Sequence, residues 1–343
     1  MMRCKLSIIY LFLMALSLSL LGLGIVVDAS SEGFSVSVTK PPSQVDDKVD
    51  YLDLRIEPSK KDKLEVTVIN NSKDDPIEID ISYNSATTNK NGIIEYGKSD
   101  ARLSDSLQTQ FQDVVTGPKQ ITLKPGETKV LKFDITMPDE KFDGYIAGGI
   151  ELSEKLAKSK KPSVVTEFSY KIGMRLSQND NKVDSELIFK KVQASFVNYE
   201  PALLITIDNV QPEYIEALEM SVDVVPIGKE VVLASASLDS LRIAPNSLYE
   251  FPLFLKEPML KTGRYEAIIN LKTGDGYTRE WREPFYFDQN SVIIENTPEE
   301  SNKSNKAVII LATVIVLAVI IILIVYFVIL KQKNKKTPPH LRR

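Results

Sequence analysis

The sequence predicts an all-β fold: two tandem immunoglobulin-like β-sandwich domains, followed by one C-terminal transmembrane helix. Three observations lead there: a period of two in the apolar residues between positions 30 and 290, an internal repeat, and a charge-free apolar run at 307–330. Leu131, Phe133, Ile135 and Met137 alternate with Lys132, Asp134 and Thr136. Ile77, Ile79, Ile81 and Tyr83 alternate in the same way, as do Leu218, Met220, Val222 and Val224. Alternation of this kind marks strands with one buried face. Many such strands separated by Pro-Gly, Pro-Asn and Gly-Asp-Gly turns point to antiparallel sandwiches without a parallel sheet.

The repeat pairs Val66-Thr67-Val68-Ile69-Asn70 with Ile205-Thr206-Ile207-Asp208-Asn209, and Leu123-Lys124-Pro125-Gly126 with Ile243-Ala244-Pro245-Asn246. Gly144-Tyr145 matches Gly263-Arg264-Tyr265. The paired turn prolines lie 120 residues apart and the glycines 119, as two similar domains in one chain require. The first copy carries about 19 more residues than the second ahead of its proline turn, within Ser85–Thr116. Ligands are bound mostly by loops on a rigid scaffold, so this insertion is the expected contact surface, with a solvated loop as the alternative.

The expected boundaries follow from composition. Residues 1–29 read as a signal peptide: Arg3 and Lys5 precede the apolar run Leu6–Val27, and Val27-Asp28-Ala29 suits cleavage, with an uncleaved anchor as the alternative. Cys4 precedes that run, whereas a lipoprotein's cysteine follows it. The first domain is expected over 30–157 and the second over 158–290, with the junction in the lysine-rich stretch Glu154–Ser163. Residues 291–306 form a polar linker, and 307–330 provide 24 uncharged residues, enough to cross a membrane core that takes about 20. The tail at 331–343 holds six Lys and Arg and is expected in the cytoplasm, which leaves the domains outside. No Leu-Pro-x-Thr-Gly sorting motif precedes the span, so the chain is expected to stay in the membrane.

Charge and composition narrow the chemistry. Residues 30–330 sum to −11, a poor surface for nucleic acid or anionic polymers, while neutral glycans and proteins remain open. The one Cys and one His, Cys4 and His340, lie in the end segments, so no disulfide, thiol nucleophile, imidazole base or Cys/His metal site is expected between them. No phosphate loop or Gly-x-Ser-x-Gly elbow occurs. A glycosidic carboxylate pair stays open by count, although most carboxylates sit on the polar phase of strands. Asn179–Asp184 lacks the Gly and closing Glu of a calcium loop and is expected to turn a hairpin. No enzyme, cofactor or metal is expected. Amides and aromatics suited to sugars are Gln44, Asn89, Asn91 and Tyr96. Trp281, the one Trp in the chain, is either core or an interface anchor.

Several of these segments resemble the WxL-interacting proteins of Gram-positive bacteria. Pro42-Ser43-Gln44, Tyr51-Leu52-Asp53-Leu54, Ala86–Tyr96 and Gly144–Ile150 are similar to their first domain. Asn209-Val210-Gln211-Pro212, Ala244–Ser247, Gly263-Arg264-Tyr265 and Trp281 are similar to their second. Tyr51-Leu52 departs from the usual Tyr-Phe-Asp pattern, a change of packing more than of recognition. The resemblance implies a peptidoglycan-binding first domain, with Gln44, Thr87, Thr88, Asn89, Asn91 and Tyr96 as site residues. It implies a second domain that binds WxL-domain surface proteins, with Asn209, Gln211, Asn246, Tyr265 and Trp281 as partner-binding residues. The expected protein is thus a membrane-anchored, non-catalytic surface adaptor. A stand-alone adhesin for a host glycoprotein is the alternative, and a wall hydrolase the third class.

Overall fold

A computed structural model describes residues 33–155, 168–256 and 260–289. The expected signal peptide, most of the lysine-rich stretch, the linker from Asn290, the span and the tail lie outside the described residues. Among the described residues no helix is long and apolar enough to cross a membrane.

The described chain is all-β apart from one helical turn, α1 (Phe111–Val114). The first sandwich packs a four-stranded sheet, in the order β1 (Phe34–Thr39), β3 (Lys61–Asn70), β9 (Thr128–Thr136), β7 (Val115–Thr116), on a five-stranded one. The second sheet runs β2 (Leu52–Arg55), β11 (Ser169–Ser177), β10 (Ile146–Glu154), β4 (Ile77–Ser85), β8 (Gln120–Leu123). The predicted alternation places its apolar phase inside: Leu131, Phe133, Ile135, Met137, Ile77, Ile79 and Ile81 are all buried in one cluster. The second sandwich packs β12 (Leu187–Val197), β13 (Glu200–Asn209) and β16 (Ser247–Phe254) against β15 (Ala234–Ile243), β14 (Ile215–Pro226), β17 (Gly263–Lys272) and β18 (Thr278–Phe287). Its core takes Leu218, Met220, Val222 and Val224 from the third predicted alternation.

Two readings, the purely antiparallel order and the hairpin at Asn179–Asp184, need correction, and one strand crosses the expected domain boundary. The strand at 169–177 falls in the range expected for the second domain, yet it pairs with β10 and β2 and completes the first sandwich, so the sheet pairing carries that sandwich to Ser177. β10 and β11, which precede and follow the lysine-rich stretch in the sequence, are neighbours in one sheet. The pairing of β11 with β2 is parallel, against the expected purely antiparallel order. Residues 179–181 do not turn a hairpin either. Asn179 donates to the Phe142 carbonyl at 3.0 Å and to Asp143 at 2.9 Å, Arg55 pairs with Asp180 at 3.2 Å, and the segment leads from one sandwich to the next.

The repeat recurs as geometry. Asn70 closes β3 and donates through Nδ2 to the carbonyls of Leu123 and Lys124 at 3.3 and 3.0 Å, just ahead of Pro125. Asn209 closes β13 and donates to the carbonyl of Ala244 at 3.0 Å, just ahead of Pro245. Each side-chain oxygen accepts from the backbone N–H two residues on, in Ser72 and Gln211. The residue after each proline has positive φ, +66° at Gly126 and +49° at Asn246, the third position of a turn that glycine and asparagine tolerate.

Candidate functional site

The insertion predicted to bind ligand is built into the molecule more than it hangs from it. Glycines let it lie flat on the first sandwich, because a Cβ on Gly148 would stand 2.2 Å from the Phe111 ring and one on Gly149 2.4 Å from the Tyr96 carbonyl. Gly173 lies under the Tyr96 ring. The Ser85 hydroxyl accepts from the Phe111 N–H at 3.0 Å at the start of α1. Between them a small hairpin pairs β5 (Thr87–Thr88) with β6 (Ile94–Glu95). Its turn is held by Asn89, whose Oδ1 accepts from the N–H groups of Asn91 and Ile93 at 3.0 and 3.2 Å. Asn89 Nδ2 donates to Glu95 at 3.0 Å, and Ser99 donates to the other oxygen at 2.7 Å. The Ser99 bond holds the Glu95 carboxyl below its ordinary range, against the effect of burial.

The other face of the insertion meets the second sandwich. Thr88 Oγ1 accepts from the Ala244 N–H at 2.9 Å and lies 2.8 Å from Ser247 Oγ, with both side chains buried. Leu103 bridges to Ser247, Ser104 N–H donates to the Asn246 carbonyl at 2.8 Å, and Leu248 N–H donates to the Arg102 carbonyl at 3.0 Å. The segment thus runs beside the start of β16, joined to it by a single β-bridge. Tyr145 N–H donates to the Pro212 carbonyl at 2.7 Å, and the Tyr145 and Tyr214 rings lie 5.7 Å apart. Burial pushes the Tyr214 and Tyr96 phenols up. Arg175 reaches Asp53 at 2.6 Å with Tyr51 and Tyr145 on its faces at 5.1 and 5.0 Å. Burial opposes its charge, but the Asp53 bond outweighs that and holds the guanidinium above its usual value.

Beside this junction opens a groove of about 520 Å³. Asn89, Asn91 and Ser99 line one wall, and the outward phase of β16, including Glu250 and Phe254, lines the other. Arg102 crosses to Glu250 at 2.6 Å. Amides, a hydroxyl, a partly exposed ion pair and an aromatic face together suit an uncharged polyhydroxylated chain: the polar groups direct hydrogen bonds, and the ring covers the apolar face of a sugar.

Of the predicted wall-binding residues, Thr88, Asn89 and Asn91 meet at this groove. Three do not. Thr87 is buried in the hairpin, Tyr96 is packed on the glycines, and Gln44 pins its own loop by accepting from Asp53 N–H at 3.1 Å and donating to the Tyr51 carbonyl at 3.2 Å. The predicted partner residues scatter. Asn209 is the turn-holding amide; Asn246 is buried at the junction and donates to Ser106 at 2.8 Å; Gln211 bonds Glu186 at 2.6 Å. Tyr265 is buried with its hydroxyl on the Lys261 carbonyl at 2.7 Å, and Trp281 is buried 6.1 Å from the Phe189 ring, so this Trp is core. Sequence reasoning missed Arg102, Glu250 and Phe254; the outward phase of the Ser247–Phe254 alternation was the available signal. Among the described residues no group of three or more His, Cys, Asp and Glu could hold a metal ion.

Comparison with known proteins matches two family models in order. Residues 34–154 match the WxL Interacting Protein, peptidoglycan binding domain, and residues 159–303 match the WxL Interacting Protein, host binding domain. Among curated proteins none matches the chain. Solved structures with which it aligns include the E. coli chaperone DraB, at 19% identity and a TM-score of 0.28 over 73% of this chain and 98% of that one. The Pseudomonas aeruginosa CupB2 chaperone aligns at 15% identity and a TM-score of 0.26, over 68% and 97%. Against the sheet pairing, the host-binding segment supplies β11 to the first sandwich, so the two segments share a sheet as well as a junction. The chain belongs to the family of WxL-interacting proteins.

Proposed function

We propose that the protein is a non-enzymatic cell-surface adaptor, anchored in the membrane by 307–330, that binds peptidoglycan in the junction groove and WxL-domain surface proteins through its second sandwich. The observation that carries this reading is the order of the two family segments in one chain, a peptidoglycan-binding domain followed by a host-binding domain. The groove supports it with the amides and the ring that an uncharged glycan calls for. Three modest contacts on one tether reinforce one another through effective concentration.

For the protein partner the free edge of β15 is the better-suited strand. β18 carries Pro284, and β12 carries a register shift with Lys190 and Lys191, features that blunt an edge. The first half of β15 reads Ala234-Ser235-Ala236-Ser237-Leu238, with neither proline nor charge, and leaves its backbone open to strand addition. The name of the second family segment favours a second reading, in which that sandwich binds a host protein directly.

A pull-down separates the readings. Residues 30–291 are mixed with isolated sacculi, with a WxL-domain protein and with host glycoproteins. The adaptor retains the first two, and an adhesin retains the last in place of the WxL-domain protein. Loss of sacculus turbidity would contradict the absence of catalysis.

A further inference from the structure

The end of the second sandwich opposite the junction carries a run of exposed apolar residues. Pairing of Val224 with Ala234, Pro226 with Tyr265 and Gly263 with Phe287 brings the β14–β15 loop, the start of β17 and the end of β18 to that end. The β12–β13 turn joins them, since Ala202 pairs with Phe254 at the same end. The β14–β15 loop reads Ile227-Gly228-Lys229-Glu230-Val231-Val232-Leu233. It turns on the Lys229 N–H bond to the Pro226 carbonyl at 3.0 Å with φ +73° at Gly228, and projects Val231 at 63% exposure beside Ile227, Val232 and Leu233 at about half. Tyr199 and Tyr286, at 72% and 65%, lie at the same end of the sandwich. A solvated loop of this length is ordinarily polar, and a run of exposed branched aliphatic residues marks a contact surface.

The chain itself indicates the occupant. β18 ends at this same end, and 17 residues, 290–306, separate Gln289 from the apolar run that begins at Ala307. Such a length spans at most about 60 Å. Lys229, Lys256, Lys261 and Arg264 stand against Glu200, Glu230 and Asp288 here, whereas residues 30–330 as a whole carry −11, so this end lacks the acidic excess that an anionic bilayer would repel. Aliphatic tips, tyrosines at the rim and interspersed lysines are the composition of a lipid interface.

We propose that this end docks on the outer leaflet, with Val231, Val232 and Leu233 entering the headgroup boundary. The proposal rests on the membrane anchorage above.

The test uses the chain from Ser30 to Arg343 in phosphatidylcholine–phosphatidylglycerol vesicles. Cys4 is the only native cysteine, so a single fluorophore goes on V232C, with T122C on the first sandwich as control. Docking predicts that spin-labelled lipid quenches the V232C probe and aqueous iodide does not, while the T122C probe behaves oppositely. The V231D/L233D pair added to V232C should restore iodide quenching. Protein that floats with the vesicles yet leaves the V232C probe open to iodide overturns the docking alone. Protein that fails to float overturns the anchorage and the docking with it. Shielding of the probe only after a WxL-domain protein is added assigns the cluster to that partner and overturns the lipid contact.

Discussion

Asn70 and Asn209 perform the same task 139 residues apart, each tying the end of a strand to the carbonyl ahead of a proline turn. The shared Asn was legible in the sequence, but Asn209 was read as part of a partner site. A residue repeated at equivalent places in two domains with different ligands holds the fold, not the ligand. N209A leaves the Ala244 and Glu213 carbonyls without their donor and should cost about 1–3 kcal/mol in a denaturant melt. Glu213 beside it gives a pH signature. Burial raises its carboxyl above the ordinary value, against the Tyr214 N–H and Arg175, which favour the charge. A raised folded pKa means that the stability tied to the protonated acid is complete below the unfolded value and is lost as pH rises through the folded one. E213Q should therefore gain Tm relative to the parent as pH climbs from the acidic range to neutral. A constant difference across that range would contradict the burial argument.

At the scale of elements, alternation made the strands legible, because a half-buried strand writes its inner face into every second residue. Their assignment to sheets was not legible. β11 shows the same alternation whichever sandwich it joins, and only its register against Gly148 and Leu52 places it in the first. A fragment 30–157, cut at the expected boundary, lacks this strand between β10 and β2 and should give no cooperative melt by circular dichroism, whereas 30–186 should melt cooperatively. The insertion was legible as extra length, and three of its five predicted residues reached the groove; its burial on the glycines was not, since that depends on contacts between distant segments. G149V should drive a side chain into the Tyr96 backbone and lift the insertion, read as faster amide exchange at 85–97 with the sandwich cores protected. W281A should cost about 3–5 kcal/mol by cavity formation, so lost partner binding in that variant would report folding and not contact.

Across the whole molecule, the junction joins what the sequence presents as two independent domains. A strand lent from one family segment to the other, the Thr88–Ser247 contact and the Arg102–Glu250 pair all cross the boundary. The groove exists only where both sandwiches meet, so a wall contact made in it would depend on the pair. Ordinary composition and spacing could not reveal this. The most direct measurement is retention of residues 30–291 on isolated sacculi, parent against N91A/F254A, two groove residues whose side chains reach solvent. The account predicts that the double variant keeps the parent's melt and loses about tenfold in affinity, equivalent to about 1.4 kcal/mol. Equal retention of parent and variant would place the wall contact elsewhere and contradict the account.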